Sequence, residues 1–419
     1  MPDAARPLRI VHLADAVFEE AAGGSRQVAR ELIREQRKAG HDTTILVGRQ
    51  KPGEPEDRAD DVYGRIVQYA KGGSPAQWTR NGRDAAARLF AQNPPDILHT
   101  HFAYAAVGPL EAAGSRIPHV RSFYGPWDAE GFVEDTGAAR AANPLKRPLL
   151  HARALVKRHF RHGIEAANLR AAARAIILSE QSRGEVLSFG YDNAHIVKSA
   201  GGVNRDRFNV DTTDAGARIA ARTRADLPVG AFPLLLSIRR LSARMGLENL
   251  VAAFPAVRAA FPHARLVIGG RGPLAESLAA QAQALGVSDQ ITFAGFIPDA
   301  LVADYYRAAD VFVLPTLALE GFGLVTVESL ACGTPVVATP IGAIPEVLGG
   351  LDERLLAGGT DVQALTEAIL GYCRSRQEPD GWAAGLTAGR LADYVEERYT
   401  WARHAADVEG AYRGAMAPE

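Results

Sequence analysis

Short apolar runs alternate with amphipathic helical stretches along this 419-residue chain, and the alternation stops once and then restarts. That rhythm is how βαβ units look in sequence, with parallel strands buried on both faces and joined by helices. In the first half, Leu8–Leu13, Thr43–Val47, Asp96–Thr100, Pro118–Ser122, Ala175–Ser179 and His195–Lys198 read as strands, with Arg65–Tyr69 a weaker one. A helix opens at Gly23-Gly24-Ser25, places Val28, Leu32 and Ile33 on one face, and stops at Ala39-Gly40-His41. Longer helical patterns cover about Leu145–Ala173 and Glu180–Phe189. The polar stretch Asn204–Gly230 carries little periodic hydrophobicity and marks a domain boundary. Strands resume at Phe232–Ile238, Arg265–Ile268, Gln290–Phe293, Val311–Leu314 and Pro335–Ala338. A last amphipathic helix, about Leu391–Met416, carries Tyr394, Trp401, Ala405 and Val408 and is able to cap either domain. The expectation is an α/β chain of two Rossmann-like, doubly wound parallel-sheet domains. They face across a cleft at the carboxyl ends of the strands, where open α/β sheets bind ligands.

Composition narrows the function. Hydrophobic residues make up 47% and charged residues 23%, which excludes large-scale disorder. Lys+Arg 47 against Asp+Glu 48 gives a net charge of -1, without the basic excess of a dedicated nucleic-acid binder. Cys332 and Cys373 are too few for a disulfide framework or a four-ligand zinc site and read as buried thiols. No apolar run reaches the ~18–20 residues that span a membrane, and Met1-Pro2-Asp3 does not open a signal peptide. The expected location is cytoplasmic.

The most informative segment is Ala318-Leu319-Glu320-Gly321-Phe322-Gly323-Leu324-Val325-Thr326-Val327-Glu328. It follows a strand and leads into a helix. Gly321 and Gly323 leave backbone N–H groups at the helix mouth, a seat for an anionic or hydroxyl-rich ligand. Glu328, about a turn into the helix, is placed to accept hydrogen bonds from vicinal hydroxyls such as those of a ribose. Glu320 would face whatever sits at the mouth. On the residues alone, Glu320 reads equally well as a solvated loop residue and Glu328 as an exposed helix residue.

Three further features stand beside it. Gly270-x-Gly272-x-x-Ala275 formally fits a dinucleotide fingerprint, but no acidic residue ends the next strand. His99 and His101 end a strand at the expected cleft, without a third metal ligand nearby in sequence. Lys146–Arg161 holds Lys146, Arg147, Arg153, Lys157, Arg158 and Arg161 with no acid, interleaved with Leu149, Leu150, Leu155, Val156 and Phe160. That is either a surface helix burying its apolar side or a basic helix touching the inner face of an anionic membrane.

Glu320 to Glu328 match the Glu-x7-Glu motif, and with it the chain resembles glycosyltransferase family 4, the retaining, nucleotide-sugar-dependent enzymes of GT-B fold. The resemblance extends over nearly the whole chain. Gly23-Gly24, Arg240-Leu241 with Gly246-Leu247, Gly269-Gly270-Arg271-Gly272-Pro273-Leu274, Gly295-Phe296, Gly333-Thr334-Pro335-Val336-Val337-Ala338 and Gly342-Ala343-Ile344-Pro345-Glu346 stand in the family's order. It implies an acceptor domain over 1–210, a donor domain over 211–394, and a last helix of about 395–419, around Trp401, packing back on the first domain. It also implies that Gly23, Gly24 and Gly270 approach the donor, and that Arg240 neutralises the departing diphosphate. Phe296 and Ile297 would meet the nucleobase, and Glu328 the ribose. Glu320 and the Gly321, Phe322, Gly323, Leu324 and Val325 backbone would contact the sugar and phosphate.

Two departures stand out. Met245 replaces the family's lysine, with Arg244 beside it as a substitute cation. Tyr124 replaces a histidine near the reacting sugar, and a tyrosine with a reference pKa of about 10 is a poor base. Tyr124 and His101 would then lie next to acceptor or sugar. The implied activity is retaining transfer of a hexose-type sugar, UDP the expected nucleotide and GDP open, to a hydroxyl acceptor in glycan, polysaccharide or glycosylated-metabolite biosynthesis. A phosphate oxygen takes the acceptor proton and no protein nucleophile is needed. The chain contains no Asp-x-Asp triplet, so no metal and no cofactor beyond the nucleotide sugar is expected. The alternative is a nucleotide-sugar-binding protein of the same fold with little or no transferase activity.

Overall fold

A computed structural model describes residues 6–17, 23–49, 55–141, 146–210 and 215–417. The chain forms two units, Met1–Gly201 with Trp401–Glu419, and Gly202–Thr400. The changeovers thus fall at 201/202 and 400/401 rather than at 210 and 395. Within the second unit the two crossing segments meet: Val203 pairs with Thr400, and its N–H donates to the Tyr399 carbonyl at 3.0 Å.

In the first unit, strands β1 (Arg9–Ala14), β2 (Asp42–Gly48), β3 (Asp57–Asp60), β4 (Gly64–Tyr69), β5 (Ile97–Thr100), β6 (His119–Phe123), β7 (Arg174–Ile177) and β8 (Ile196–Lys198) make one sheet. Its order is β3-β4-β2-β1-β5-β6-β7-β8, parallel throughout except for β3 against β4. Helices α1 (Gly24–Lys38), α2 (Pro75–Gln92), α3 (Ala103–Ala113), α4 (Trp127–Ala141), α5 (Arg147–Arg170) and α6 (Glu180–Ser188) connect the strands. Leu8, Ile10, Leu32, Ile97, Val120 and Ile176 pack with residues of the chain's last helix in one of the cores.

The second unit stacks β9 (Leu234–Ile238), β10 (Arg265–Gly269), β11 (Ile291–Gly295), β12 (Val311–Leu314) and β13 (Val336–Ala338) in the order β11-β10-β9-β12-β13, all parallel. Its helices are α7 (Ala215–Arg224), α8 (Leu247–Ala260), α9 (Ala275–Ala284), α10 (Asp299–Ala308), α11 (Leu324–Ala331), α12 (Ile344–Gly349), α13 (Val362–Gln377) and α14 (Ala388–Arg398). The chain then returns to the first unit as α15 (Trp401–Met416), which buries Trp401, His404, Val408, Ala411 and Tyr412.

Four elements differ from the sequence reading, each for a physical reason. The last helix is two, α14 and α15, because Tyr399 and Thr400 leave helical geometry to pair with Val203. The long helix begins at Arg147, and a separate α4 precedes it; Trp127–Ala141 has no apolar stripe to reveal it. Edge strand β3, with sequence Asp57-Arg58-Ala59-Asp60, is charged, as edges that resist aggregation are. Helix α7 lies inside the stretch taken as non-periodic, because ion pairs hold much of it. Arg218 and Arg222 bond Asp310, and Arg224 bonds Asp304.

Arg222 is the centre of that arrangement. Its guanidinium donates to the carbonyls of Ala308, Val229 and Ala231 at 2.8–2.9 Å and to Asp310 at 2.9 Å, while Asp310 also accepts from the Leu234 N–H at 2.7 Å. Arg222→Met leaves a buried carboxylate and three carbonyls short of a donor. The expected cost is about 3–5 kcal/mol in guanidinium unfolding of the full chain. Arg222→Lys should recover little, since one ammonium does not span four acceptors.

The first unit buries His12, His99, His101, His119 and His404. Burial holds His12 and His119 down at about 3 and His404 at about 4, and pushes His99 and His101 well below 6.5. All five are neutral in the folded protein, whereas the unfolded chain takes up protons near pH 6.5. Their stabilisation is therefore complete above about pH 6.5 and declines as pH falls toward 4, by up to roughly 1.4 kcal/mol per pH unit for each group. Unfolding free energy measured from pH 7.5 to 4.5 should show this decline, and a flat profile would contradict it.

Candidate functional site

In the second unit the strand order reverses between β9 and β12, which pair side by side. The chain leaves both at their carboxyl ends, the usual ligand position of an open α/β sheet. Arg239 and Arg240 follow β9, and the loop to Glu320 follows β12. The Arg239 guanidinium donates to Glu320 Oε2 at 2.5 Å, in an ion pair whose two side chains are only 5% and 14% exposed. The Thr316 hydroxyl donates to the same oxygen at 3.3 Å and itself accepts from Arg239.

The loop backbone is held as firmly. The Ala343 N–H donates to the Glu320 carbonyl at 3.1 Å, and the Arg244 guanidinium to the Leu319 carbonyl at 2.7 Å. Leu319 has φ 58, a left-handed conformation that costs a leucine about 1–2 kcal/mol and that these bonds maintain. Gly342 is required here, because a Cβ on it would lie 1.9 Å from the Glu320 carbonyl oxygen. Arg244, expected as a substitute diphosphate cation, thus braces the loop, and Met245 is a buried apolar side chain in the turn Ala243–Met245.

Arg240 is exposed beside this pair. The sequence reading singled it out and missed Arg239, although consecutive residues leaving a strand point to opposite sides and only one can turn inward. Helix α11 begins at Leu324, with Gly323 as its N-cap. The Phe322 ring is buried edge-on against Tyr399, so its backbone is what the loop presents with Gly321. Leu324 and Val325 are the first two residues of the helix, and their N–H groups have no acceptor within it and carry partial positive charge, whereas the Thr326 N–H donates to the Gly323 carbonyl at 2.8 Å.

Glu328 is not an exposed helix residue; it is 6% exposed, and its Oε2 accepts a hydrogen bond from the Tyr306 hydroxyl at 3.1 Å. Burial and the nearby Glu328 charge raise the Tyr306 pKa well above its ordinary value, so the phenol remains a donor. Tyr306 went unnoticed in sequence because it lies on α10 and reads as ordinary core. Ile297 is buried, while Phe296 is exposed under the Arg271 guanidinium, 5.2 Å from its ring centroid. Gly270 serves packing: its N–H donates to the Gly295 carbonyl at 2.6 Å, and a Cβ there would sit 1.8 Å from the Arg239 carbonyl oxygen.

Gly23, Gly24, His101 and Tyr124 belong to the first unit. Gly23 caps α1 at φ 100, with Gly24 its first residue, both exposed. The strand order of that unit reverses between β1 and β5, and there the structure brings His12 to His99 and His101, a third imidazole that sequence spacing did not show. His12 Nδ1 and His101 Nε2 are 3.0 Å apart, an N–H···N hydrogen bond and closer than the roughly 3.3 Å between two nitrogens on one tetrahedral zinc. His99 bonds the Tyr412 hydroxyl at 2.5 Å and Ser122 Oγ at 2.8 Å, and His101 Nδ1 bonds the Tyr124 hydroxyl at 2.7 Å. The cluster fits a hydrogen-bonded network better than a metal centre. Tyr124 is half-buried, and burial raises its pKa further above the ordinary value, so it donates rather than acts as a base.

A rim of cations and aromatic rings stands at the same edge. Lys71 Nζ lies 5.1 Å from the Trp78 ring centroid, Trp78 meets Tyr104 edge-on at 4.8 Å, and Tyr104 lies 6.2 Å from Trp127. Arg26 pairs with Asp15 at 3.0 Å. Sequence reasoning missed Lys71, Trp78 and Tyr104; their signal was their place just past β4 and β5.

Comparison with known proteins agrees with this geometry. Residues 22–207 match the family model described as Glycosyltransferase Family 4, and residues 222–384 the model described as Glycosyl transferases group 1. A D-inositol 3-phosphate glycosyltransferase of Acidothermus cellulolyticus is 34% identical over 351 residues, 80% of this chain and 71% of its own length. A GDP-mannose-dependent alpha-(1-6)-phosphatidylinositol monomannoside mannosyltransferase of Mycolicibacterium smegmatis is 33% identical over 215 residues, 47% of this chain and 55% of the relative. The match therefore spans about half the length of that mycobacterial relative. Among solved structures, a sucrose-phosphate synthase of Thermosynechococcus elongatus superposes with a TM-score of 0.76 at 22% identity, over 97% of this chain and 98% of that one. The catalytic domain of starch synthase IV from Arabidopsis thaliana superposes with a TM-score of 0.68 at 14% identity, over 99% and 100%. Two parallel-sheet units, each with polar side chains at its switch point, together with these matches identify the chain as a member of glycosyltransferase family 4 with the GT-B fold.

Proposed function

We propose that this chain is a retaining glycosyltransferase that moves a hexose from a nucleoside diphosphate sugar to a hydroxyl of a phosphate-bearing polyol. The observation that carries the reading is Glu320, held by Arg239 and Thr316 at the switch point beside the N-terminus of α11. The 202–400 unit takes the donor. Glu328, oriented by Tyr306, accepts from the ribose hydroxyls, and Ile297 and Phe296 meet the base. Glu320 receives a sugar hydroxyl. Arg240 and the first N–H groups of α11 stabilise the charge that grows on the diphosphate as the C1–O bond breaks, where one such donor is worth ~3–4 kcal/mol. The new C1–O bond forms on the same face, and a phosphate oxygen takes the acceptor proton. A carboxylate locked to a guanidinium at 2.5 Å is a weak nucleophile, which supports a route without a glycosyl–enzyme bond. The absence of an Asp-x-Asp triplet supports metal independence.

The acceptor class rests on the first unit's rim. Lys71 and Arg26 suit a phosphate, Trp78, Tyr104 and Trp127 the faces of a polyol, and Tyr124 with His101 a hydroxyl. Relatives named for inositol phosphate and phosphatidylinositol acceptors support the same class. UDP, the expected nucleotide, competes with GDP, which the names of the mycobacterial mannosyltransferases carry.

Thermal unfolding with UDP, GDP, ADP and TDP, with and without EDTA, should single out one nucleotide. At 100 times its dissociation constant it adds about 2.7 kcal/mol, unchanged by EDTA. Stabilisation without turnover on any phosphorylated polyol would instead favour the sugar-binding alternative. Arg240→Ala should lower kcat/KM about 100- to 1000-fold. Glu328→Ala and, less severely, Tyr306→Phe should raise donor KM, with kcat largely kept. An NMR assignment of the product anomer tests retention.

Lys71→Ala should raise KM for inositol phosphate about tenfold and leave KM for donor unchanged. An equal loss for both substrates would remove Lys71 from the acceptor site.

A further inference from the structure

We propose that the outward face of α5 docks this chain on the surface of an anionic lipid bilayer. The carboxyl-terminal half of α5 is anchored, with Ala166 and Leu169 packed beside Phe123 and Ala175 in a core cluster. The amino-terminal half is different. Of the ten large apolar side chains that the described residues expose, four lie here: Leu149 at 64%, Leu155 at 47%, Val156 at 72% and Phe160 at 56%.

Helical geometry sorts this half into two faces. At about 100° per residue, Leu149, Ala152, Val156 and Phe160 share one arc, with Leu155 at its margin. The opposite arc carries buried Ala154 and the cations that α4 neutralises. Lys157 and Arg161 pair with Asp135 at 2.9 Å, and Arg158 with Asp128 at 3.6 Å. Arg158 and Arg161 also lie over the rings of Phe132 and Trp127. The charges facing the protein are thus matched by α4, and the face turned to solvent is apolar. Exposed Lys146 and Arg153 lie along one side of it, and no acidic residue occurs from Lys146 to Ile164.

An apolar stripe with Lys146 and Arg153 along one side and no acidic residue beside it fits one kind of surface. It lies in the headgroup layer with its apolar side chains in the acyl boundary and its cations among lipid phosphates. A second copy of this chain fits less well, because in a two-fold contact the same stripe of the partner would offer Lys146 and Arg153 no acidic residue. A nucleic acid would leave the stripe without a partner. No described helix is long and apolar enough to cross a membrane, so this one lies on the surface rather than spanning it. The inference does not rest on the proposed activity, since binding is read without substrate.

The test is flotation of the full chain with phosphatidylcholine vesicles and with vesicles of phosphatidylcholine and phosphatidylglycerol. The chain should float with the anionic vesicles alone, and raising NaCl from 0.1 to 0.5 M should weaken partition at least tenfold. The double variant Val156→Asp/Phe160→Asp should lose at least tenfold, and Arg153→Gln about fivefold, for one cation removed. Both variants change exposed positions, so their melting temperatures and nucleotide-induced shifts should match the parent. If the aspartates perturb folding, Val156→Ser/Phe160→Ser gives the same comparison. Absence of flotation with anionic vesicles, or flotation unchanged in the double variant, would overturn the proposal. So would a solution dimer that Phe160→Asp dissociates, which would assign the stripe to a second copy.

Discussion

A parallel strand in a doubly wound sheet is covered on both faces, so its interior positions accept little but apolar side chains. Polar groups that must still be positioned exactly where the sheet is rigid collect at the strand ends, and the switch point is where two such ends diverge and leave room. The second unit obeys that constraint: Val311–Leu314 is fully buried and the chain then yields Thr316 and Glu320. The first obeys it in part: His101 and Tyr124 follow the ends of β5 and β6, while His12 and His99 lie inside β1 and β5 and are tolerated because they are hydrogen-bonded.

The two ends solve the burial of polar groups in opposite ways. The β9–β12 end uses charge. Arg239 and Glu320 are nearly buried, and each is tolerable only because the other is present. That mutual dependence fixes the carboxylate more tightly than a solvated glutamate is held, and the bonds to Leu319 and from Ala343 fix the backbone beneath it. The β1–β5 end uses neutrality. Its imidazoles share protons with one another and with Tyr412, Ser122 and Tyr124, and desolvation keeps them uncharged. In the proposed reaction a ligand at the first end would meet a fixed carboxylate, and at the second the half-buried Tyr124 backed by neutral imidazoles.

The alternation of strands and helices was legible because burial on both faces makes a strand continuous in apolar residues. Glu320 and Glu328 were legible through their spacing around a glycine-rich turn. What escaped the sequence escaped because it depends on partners distant in the chain. Arg239 matters through a loop 81 positions away, and Tyr306 through Glu328, 22 positions on. The rim of Lys71, Trp78 and Tyr104 is assembled from the ends of different strands. Helix α7 is held by ion pairs, which leave no hydrophobic period. For α5, sequence showed the basic and apolar residues together, but not which of them α4 would cover.

The replacement of the family's lysine by Met245 follows the same logic of partners. Met245 is packed away, and the neighbouring Arg244 holds the Leu319 carbonyl. Arg239 holds the Glu320 carboxylate from the other side. Two of the three arginines around this turn therefore build the loop that presents Glu320. In the proposed reaction the growing diphosphate charge then falls to Arg240 and to the amino end of α11. An exposed guanidinium and a helix end differ in kind. The first adapts to its ligand and is weakened by salt, while the second is preorganised by the sheet and is not reoriented when the charge develops. A site that depends on both places its fixed stabilisation in the backbone, and the loop leading to that backbone is braced by Arg239 at the Glu320 carboxylate and by Arg244 at the Leu319 carbonyl.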